Sequence, residues 1–337
     1  MVADFWYVGC SSRELRNKPL AVTLFEKPLV LFRDEAGSAR ALDDRCPHRN
    51  MPLSAGAVCG GFLQCGYHGW SFDGTGRLAD IPALPNKSDW PSRVSVEAYP
   101  VLEQDGYVWV CPGGGKPEQA PAALHGLRES GWTTFRMDTL FRAPVEACLE
   151  NFLDCPHAAY VHRHWFRTPA RTPTRAVVRY REDGAEAEYF DEPRKKGIVW
   201  RTLARRQAGM RHIDRFIAPA TSRVDYIFDD GRHYVITSNC TPLDADTTRV
   251  FTTISFRWPL FGSLVRLFFH PLSRKIIRQD VETLNRQHVN VRRFGGERYY
   301  FARSDLLIRA IMAWRDAMHD GGPTPAPGAE YNVDLAL

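Results

Sequence analysis

Two short segments, each offering one cysteine and one histidine, constrain this chain more than any other feature. Cys46-Pro47-His48-Arg49 and Cys65-Gly66-Tyr67-His68-Gly69-Trp70 give the pattern C-x-H, sixteen residues, then C-x-x-H. Two thiolates and two imidazoles at these spacings are four metal-binding groups. They must sit on loops, because adjacent side chains on a regular strand diverge to opposite faces and cannot reach one centre. Gly66 and Gly69 suit such loops, since glycine adopts turn conformations that other residues resist. Cys59, in Val58-Cys59-Gly60-Gly61 between the two segments, is read as a small buried residue and not as a ligand.

Zinc accepts two cysteines and two histidines, but its common pattern pairs cysteine with cysteine and histidine with histidine. Here each loop gives one of each. A Rieske [2Fe–2S] cluster needs two thiolates on one iron and two imidazoles on the other, so each loop supplies one ligand per iron. The two segments resemble the cluster-binding motif of Rieske oxygenases, in their CPHR and YHGW forms. The resemblance implies that Cys46, His48, Cys65 and His68 hold such a cluster. Neutral histidine in place of thiolate raises the reduction potential, so a modest donor suffices.

The 337 residues allow two ordinary domains. With 44% hydrophobic and 25% charged residues, the chain has the balance of a folded protein with a sizeable core. Its net charge of +5 is spread among acids along the chain. The clusters Arg194-Lys195-Lys196 and Arg201 with Arg205 and Arg206 read as solvated faces, and no nucleic-acid module accompanies them. A basic patch would equally suit an acidic electron donor. MVADFWYVGC lacks the basic and apolar regions of a secretory signal. Segments 264–269 and 306–314 are too short and too charged at their edges to span a bilayer. The eight cysteines form no small-domain disulfide framework, which leaves metal ligation or burial. A cytoplasmic protein is expected, with no nucleic acid partner and no membrane span.

Residues 1–112 read as short strands and turns, with strands at 5–8, 21–25, 29–32, 40–42, 61–64, 70–72 and 107–110. Glu26-Lys27-Pro28 is the expected break between the second and third. Asp73-Gly74-Thr75-Gly76 reads as a hairpin turn. Pro112-Gly113-Gly114-Gly115-Lys116-Pro117 opens a linker, which places domains at 1–115 and 116–337. Beyond it, 144–162 has helical spacing and 173–257 alternates in β fashion, with a turn at Asp229-Asp230-Gly231. Helix is expected over 271–291, then a terminal amphipathic helix over 304–318 with Ser304 as its N-cap. Strand runs bracketed by helices, without a βαβ rhythm, argue for an α+β second domain.

Glu150 to His162 resembles the N-x-x-D-x-x-H-x-x-x-x-H segment with which Rieske oxygenases hold catalytic iron. Two neutral histidines and one carboxylate leave coordination positions open for O₂ and substrate. His157 and His162 would lie about 140° apart on an ideal helix, so a break is needed, and Pro156 supplies one. His164 is closer in angle to His157, but about 10 Å along a helix separates them. His162 is therefore preferred. The carboxylate comes from downstream: Gln279-Asp280-Val281-Glu282-Thr283-Leu284 resembles the Q-D-x-x-x-L pattern of smaller Rieske monooxygenases and selects Asp280. Glu282 lies about 200° around the same helix and cannot join it at the metal. The resemblance further implies that Asp154 hydrogen-bonds His157 and links it to a cluster histidine, His68, of a neighbouring subunit in a homotrimer. Asn151, one turn earlier, would lie near the iron without ligating it.

The fold so implied is an N-terminal all-β Rieske domain followed by a helix-grip (START-like) antiparallel sheet around a helix. The activity implied is that of a terminal oxygenase component, fed from NAD(P)H by a reductase and, in some systems, a ferredoxin. Segment 304–315 resembles the ketosteroid hydroxylase and pheophorbide oxygenase branches. The chain is also shorter than arene dihydroxylase large subunits. Both favour hydroxylation or oxidative demethylation over cis-dihydroxylation, with desaturation and oxidative cyclisation as further alternatives. A Rieske electron carrier is the competing class, although a carrier needs no second iron site. Phe190, Trp200 and Tyr226 are read as core residues before pocket residues.

Overall fold

The computed structural model describes residues 2–115, 117–127, 129–163, 165, 171–190, 209–258 and 262–337. His164, Trp200 and the basic clusters at 194–196 and 201–206 lie outside the described residues. Two compact units form, Ala3–Ala123 and Leu124–Leu337, the latter joined by Val2.

The first unit is all β, with three antiparallel sheets. β1 (Tyr7–Ser11), β10 (Val101–Gln104) and β11 (Tyr107–Val110) make one. β2 (Leu20–Leu24), β3 (Lys27–Arg33), β4 (Ala39–Asp43) and β9 (Ala98–Tyr99) make the second. The third runs in order through β5 (Ala57–Cys59), β6 (Phe62–Gln64), β7 (Ser71–Phe72) and β8 (Leu78–Asp80). The reversal before β3 occurs at Phe25 and Glu26, with φ of 52° and 63°, so Lys27 and Pro28 are strand and not the expected break. Both residues take the positive φ of a type I′ turn, which asparagine and glycine usually announce; Phe-Glu carries no such signal. Asp73 behaves as expected, its Oδ1 accepting from the Thr75 amide and hydroxyl and from the Arg77 amide.

The core beneath the two Cys-His loops joins Val30, Phe32, Leu42, Leu53, Leu63 and Phe72 with both Cys46 and Cys65. Phe72 is fully buried there. Phe72→Ala is expected to destabilise this unit by about 3–5 kcal/mol, read from denaturant unfolding. A loss below about 1 kcal/mol would show that the core collapses readily into the gap.

The second unit is an eight-stranded antiparallel sheet. Its strands are β12 (Trp132–Phe141), β13 (Pro173–Arg181), β14 (Gly184–Phe190), β15 (Met210–Ile217), β16 (Thr221–Phe228), β17 (His233–Pro242), β18 (Thr248–Arg257) and β19 (Glu330–Ala336). The spatial order is β12-β18-β17-β16-β15-β14-β13-β19. Helix α1 (Val145–Leu153) packs on β15, β16 and β17, and α2 (Gly262–Arg293) on β12. α3 (Ile308–Asp320) packs on α1 and β14. This is the α+β arrangement the sequence implies. No helix among the described residues is long and apolar enough to cross a membrane.

The helices depart from expectation in their bounds and caps. Helix does not run through 144–162: α1 stops at Leu153, Asp154 is extended, and a separate 3₁₀ turn follows over Cys155–Ala159. α2 starts well before Pro271, which lies inside it. Ser304 does not cap the last helix, which begins at Ile308 after Leu307; the Ser304 hydroxyl donates instead to Asp305 Oδ1. Nor is that helix terminal, because β19 returns to pair with β13. Only Val333 of β19 is fully buried, so the strand shows almost no alternation in sequence.

Candidate metal centres

The two Cys-His loops share one backbone design. The Cys46 amide donates to the Met51 carbonyl at 2.9 Å, and the Cys65 amide to the Trp70 carbonyl at 2.8 Å. Four residues after each cysteine, Asn50 and Gly69 donate back to that cysteine's carbonyl, both with positive φ, 59° and 73°. Asparagine and glycine tolerate this left-handed conformation. Gly66 is not left-handed. Its requirement is closeness, since an added Cβ would sit 3.0 Å from the Ala55 carbonyl oxygen.

Both thiols point into the core, whereas His48 is half-buried and His68 exposed. The imidazoles stand together, 4.5 Å between ring centroids, and His48 stacks on Trp70 at 4.5 Å and 5°. Neither cysteine is in a disulfide. Burial, helped by the neighbouring Cys65, pushes the Cys46 thiol up to about 11. Two buried thiols beside two outward imidazoles would suit a cluster with two thiolate and two histidine ligands. Cys59, expected to be buried, is exposed on β5, and its thiol is 3.6 Å from Gln64 Oε1. It takes no part in the loops.

In the second unit, His157, His162 and Asp280 bring one ligand atom each to within 4.8 Å of one another. Asp280 Oδ1 is 3.0 Å from His162 Nε2 and 3.7 Å from His157 Nε2. The break after α1 makes this possible, turning the chain so that the two imidazoles approach at 5.1 Å and 75°. Asp280 arrives from α2, whose face of Ser273, Ile276, Ile277 and Asp280 repeats at helical spacing. Glu282 is exposed, as its angle requires.

Each imidazole is fixed through its other nitrogen. His157 Nδ1 donates to the backbone carbonyl of Asp154, and His162 Nδ1 donates to Gln279 Oε1 at 3.1 Å. A carbonyl can only accept, so both Nε2 lone pairs are left to face Asp280. Asp280 Oδ1 is buried and faces both Nε2 atoms. Two imidazoles and one carboxylate converging on one point fit a bound cation and suit iron with open positions. Burial works against charge on His162, but the facing Asp280 and Gln279 hold its pKa above the ordinary value.

Gln279 stood in the sequence pattern without a role. Gln279→Leu is expected to weaken iron binding at this centre about ten- to a hundredfold, as loss of a ligand-orienting hydrogen bond does. Competition against a chelator measures it; unchanged affinity would show that the contact does not orient His162.

Asp154 departs from expectation in its mode of contact. Its carbonyl, not its carboxylate, holds His157, and Oδ2 lies 3.9 Å from Nδ1. Burial, reinforced by Asp305 and Glu150, pushes the Asp154 carboxyl up to about 7. Asn151 is buried on α1 and is not among the described residues lining the cavity beside the metal centre.

That cavity measures about 130 Å³ and opens between α2 and the sheet. Alternate residues of neighbouring strands line it, among them Ser222, Val224 and Tyr226 of β16 with Tyr234, Ile236 and Ser238 of β17. Tyr226 is buried in the core, as expected, and also lines the cavity; Phe190 is half-buried and is not among the described lining residues. The pair His212 and Asp214 also lines the cavity and was not anticipated. Its signal was present: two polar residues two apart, in phase with the buried Phe216.

Comparison with known proteins agrees with this geometry. Residues 5–100 match the Rieske [2Fe-2S] domain, and residues 141–320 the vanillate O-demethylase oxygenase C-terminal domain. The 4beta-methylsterol monooxygenase of Methylococcus capsulatus is 38% identical over 171 residues, 49% of this chain and 46% of the relative. The oxygenase component of dicamba O-demethylase from Stenotrophomonas maltophilia is 35% identical over 178 residues, 50% of each. The chain thus spans about half the length of these curated relatives. In fold, it matches dicamba monooxygenase bound to 3,6 dichlorosalicylic acid with a TM-score of 0.83 at 23% identity, over 95% of this chain and 98% of that one. NdmB of Pseudomonas putida CBB5 matches with 0.77 at 22%, over 99% and 97%. With a matched oxygenase domain over more than half its length and a Rieske domain ahead of it, the chain belongs to the Rieske oxygenases of the vanillate O-demethylase type.

Proposed function

We propose that this chain is the terminal oxygenase component of a multicomponent monooxygenase, which hydroxylates or oxidatively demethylates an apolar, aromatic or polycyclic small molecule. The observation that carries this reading is the convergence of His157, His162 and Asp280 on the wall of a largely apolar cavity. An electron carrier has no use for such a centre. Relatives named as a sterol monooxygenase and an O-demethylase support the substrate class. Residues 1–115 are assigned to the cluster domain and 116–337 to the catalytic domain. Electrons come from NAD(P)H through a reductase, with or without a ferredoxin, and the assigned compartment is the cytoplasm.

Cys46, His48, Cys65 and His68 would hold the [2Fe–2S] cluster, and His157, His162 and Asp280 the mononuclear iron. When bound, the two groups supply single electrons and O₂ activation, respectively. The chain's own part is positional. The Asp154 carbonyl and Gln279 keep both Nε2 atoms aimed at one point, and the apolar lining keeps bulk water from the substrate. Asp154 is assigned the contact with His68 of the partner subunit in a homotrimer. Its carboxylate is partly exposed beside Glu150 and Asp305. Exposed Arg45, Arg49 and Tyr67 flank the cluster histidines, which gives a neighbouring copy a complementary surface.

The test is iron and oxygen together. The purified protein is expected to hold about three irons per chain, one of them chelatable. Removing that one should abolish substrate-dependent O₂ consumption and leave the Rieske EPR signal intact. A protein holding only the cluster irons and consuming no O₂ would be a carrier, and the oxygenase reading would fall.

A further inference from the structure

One polar pair in the cavity is not used by the metal centre. His212 and Asp214 stand two apart on β15, so both side chains leave the same face of the sheet. His212 Nε2 is 2.9 Å from Asp214 Oδ1, and the residues are 2% and 3% exposed. Both line the cavity that His157, His162 and Asp280 line. Strand register explains how the imidazole is held: Tyr189, His212, Tyr226 and Tyr234 are successive cross-strand partners in one row. The ring is clamped 4.6 Å from Tyr189 at 18° and 4.3 Å from Tyr226 at 19°. It cannot swing without unstacking from both.

A buried imidazole–carboxylate pair carries a desolvation cost that apolar residues of the same volume would avoid. Most of the cavity lining is apolar, including Met137, Phe152, Val224 and Ile236, beside a few hydroxyl side chains. In a mostly apolar pocket, a few fixed polar groups set the orientation of the ligand. We propose that His212, held by Asp214, is a specificity-determining residue that hydrogen-bonds a hydroxyl group on an uncharged, ring-bearing substrate. This rests on the oxygenase reading and narrows its substrate class.

The hydroxyl follows from the chemistry of the pair. A hydroxyl both donates and accepts, so it meets the imidazole in either protonation state. Charge disfavours the rival, a ring carboxylate. Asp214 already stands 2.9 Å from the His212 ring, and a second anion on that imidazole would face it where solvent screens poorly.

Fluorine NMR titration of the iron-loaded protein tests this with three probes that differ in one substituent: para-fluorophenol, fluorobenzene and para-fluorobenzoate. The phenol is expected to bind about tenfold more tightly than either of the others. His212→Phe retains a ring between the tyrosines and should reduce the phenol to the affinity of fluorobenzene, with fluorobenzene itself unchanged. If His212→Phe does not fold, Asp214→Asn carries the same test and should shrink the phenol preference. Benzoate binding as tightly as phenol, or a phenol preference that survives both substitutions, would overturn the proposal. Iron content of the same samples separates the two readings. A phenol preference lost with His212 in a protein without mononuclear iron would remove the oxygenase reading and leave the hydroxyl site standing.

Discussion

Asp280→Ala empties the centre at His157 and His162 while the Cys-His loops keep their cluster: the expected result is a protein with about two irons per chain and no substrate-dependent O₂ consumption. Loss of a partner that merely orients a ligand costs about ten- to a hundredfold in metal affinity, and loss of the ligand itself exceeds that. The same substitution should also weaken the metal-free protein. There Asp280 is a buried carboxylate 3.0 Å from His162 Nε2, and it holds that imidazole above its ordinary pKa. Removing one partner of a buried pair costs stability. The metal-free variant should therefore melt below metal-free wild type, and iron-loaded wild type above both. Thermal melts with and without chelator give the comparison. A variant that keeps its third iron would place the carboxylate ligand elsewhere. A metal-free variant that melts with metal-free wild type would show that His162 and Asp280 do not pair when the metal is absent.

What could be read in the sequence divides along physical lines. The convergence of His157, His162 and Asp280 was legible because metal chemistry restricts residue types and spacings. The need for a break between the two histidines was also legible, since a straight helix would splay them, and the 3₁₀ turn at Cys155–Ala159 supplies it. Contacts made through backbone atoms were not. The Asp154 carbonyl holds His157, and a carbonyl is the same in every residue, so nothing in the sequence marks it. Gln279 was hidden differently, because its value depends on His162 reaching α2 from a distant segment. The type I′ turn at Phe25 and Glu26 lacked turn residues, and β19 lacked alternation. His212 and Asp214 gain their meaning from cross-strand partners, which no single strand reveals.

Cys46→Ser should abolish the Rieske signal and weaken the fold of Ala3–Ala123 in one step. The thiol is fully buried among Val30, Phe32, Leu42 and Phe72, and burial pushes it up to about 11. In that site a thiolate exists only where a metal replaces the proton, so metal binding and deprotonation are one event. A serine hydroxyl is a far weaker acid than a thiol and cannot take the same place. The loop is not at fault in the variant, since its hydrogen bonds from Cys46 and Asn50 are made by the backbone and survive the exchange. What disappears is the bond network joining the loop after β4 to the loop between β6 and β7. Those loops meet at the core of this unit, so its melting transition should fall along with the colour. The variant should still bind iron at His157, His162 and Asp280, and electrons from a reductase should no longer reach it. Reduced wild type is expected to show a Rieske EPR signal with a potential between about −150 and +300 mV, the range set by two histidine ligands. A colourless wild type with one tightly held zinc would reassign the loops to a structural staple, and the Cys46→Ser melt would then report only the loss of that staple.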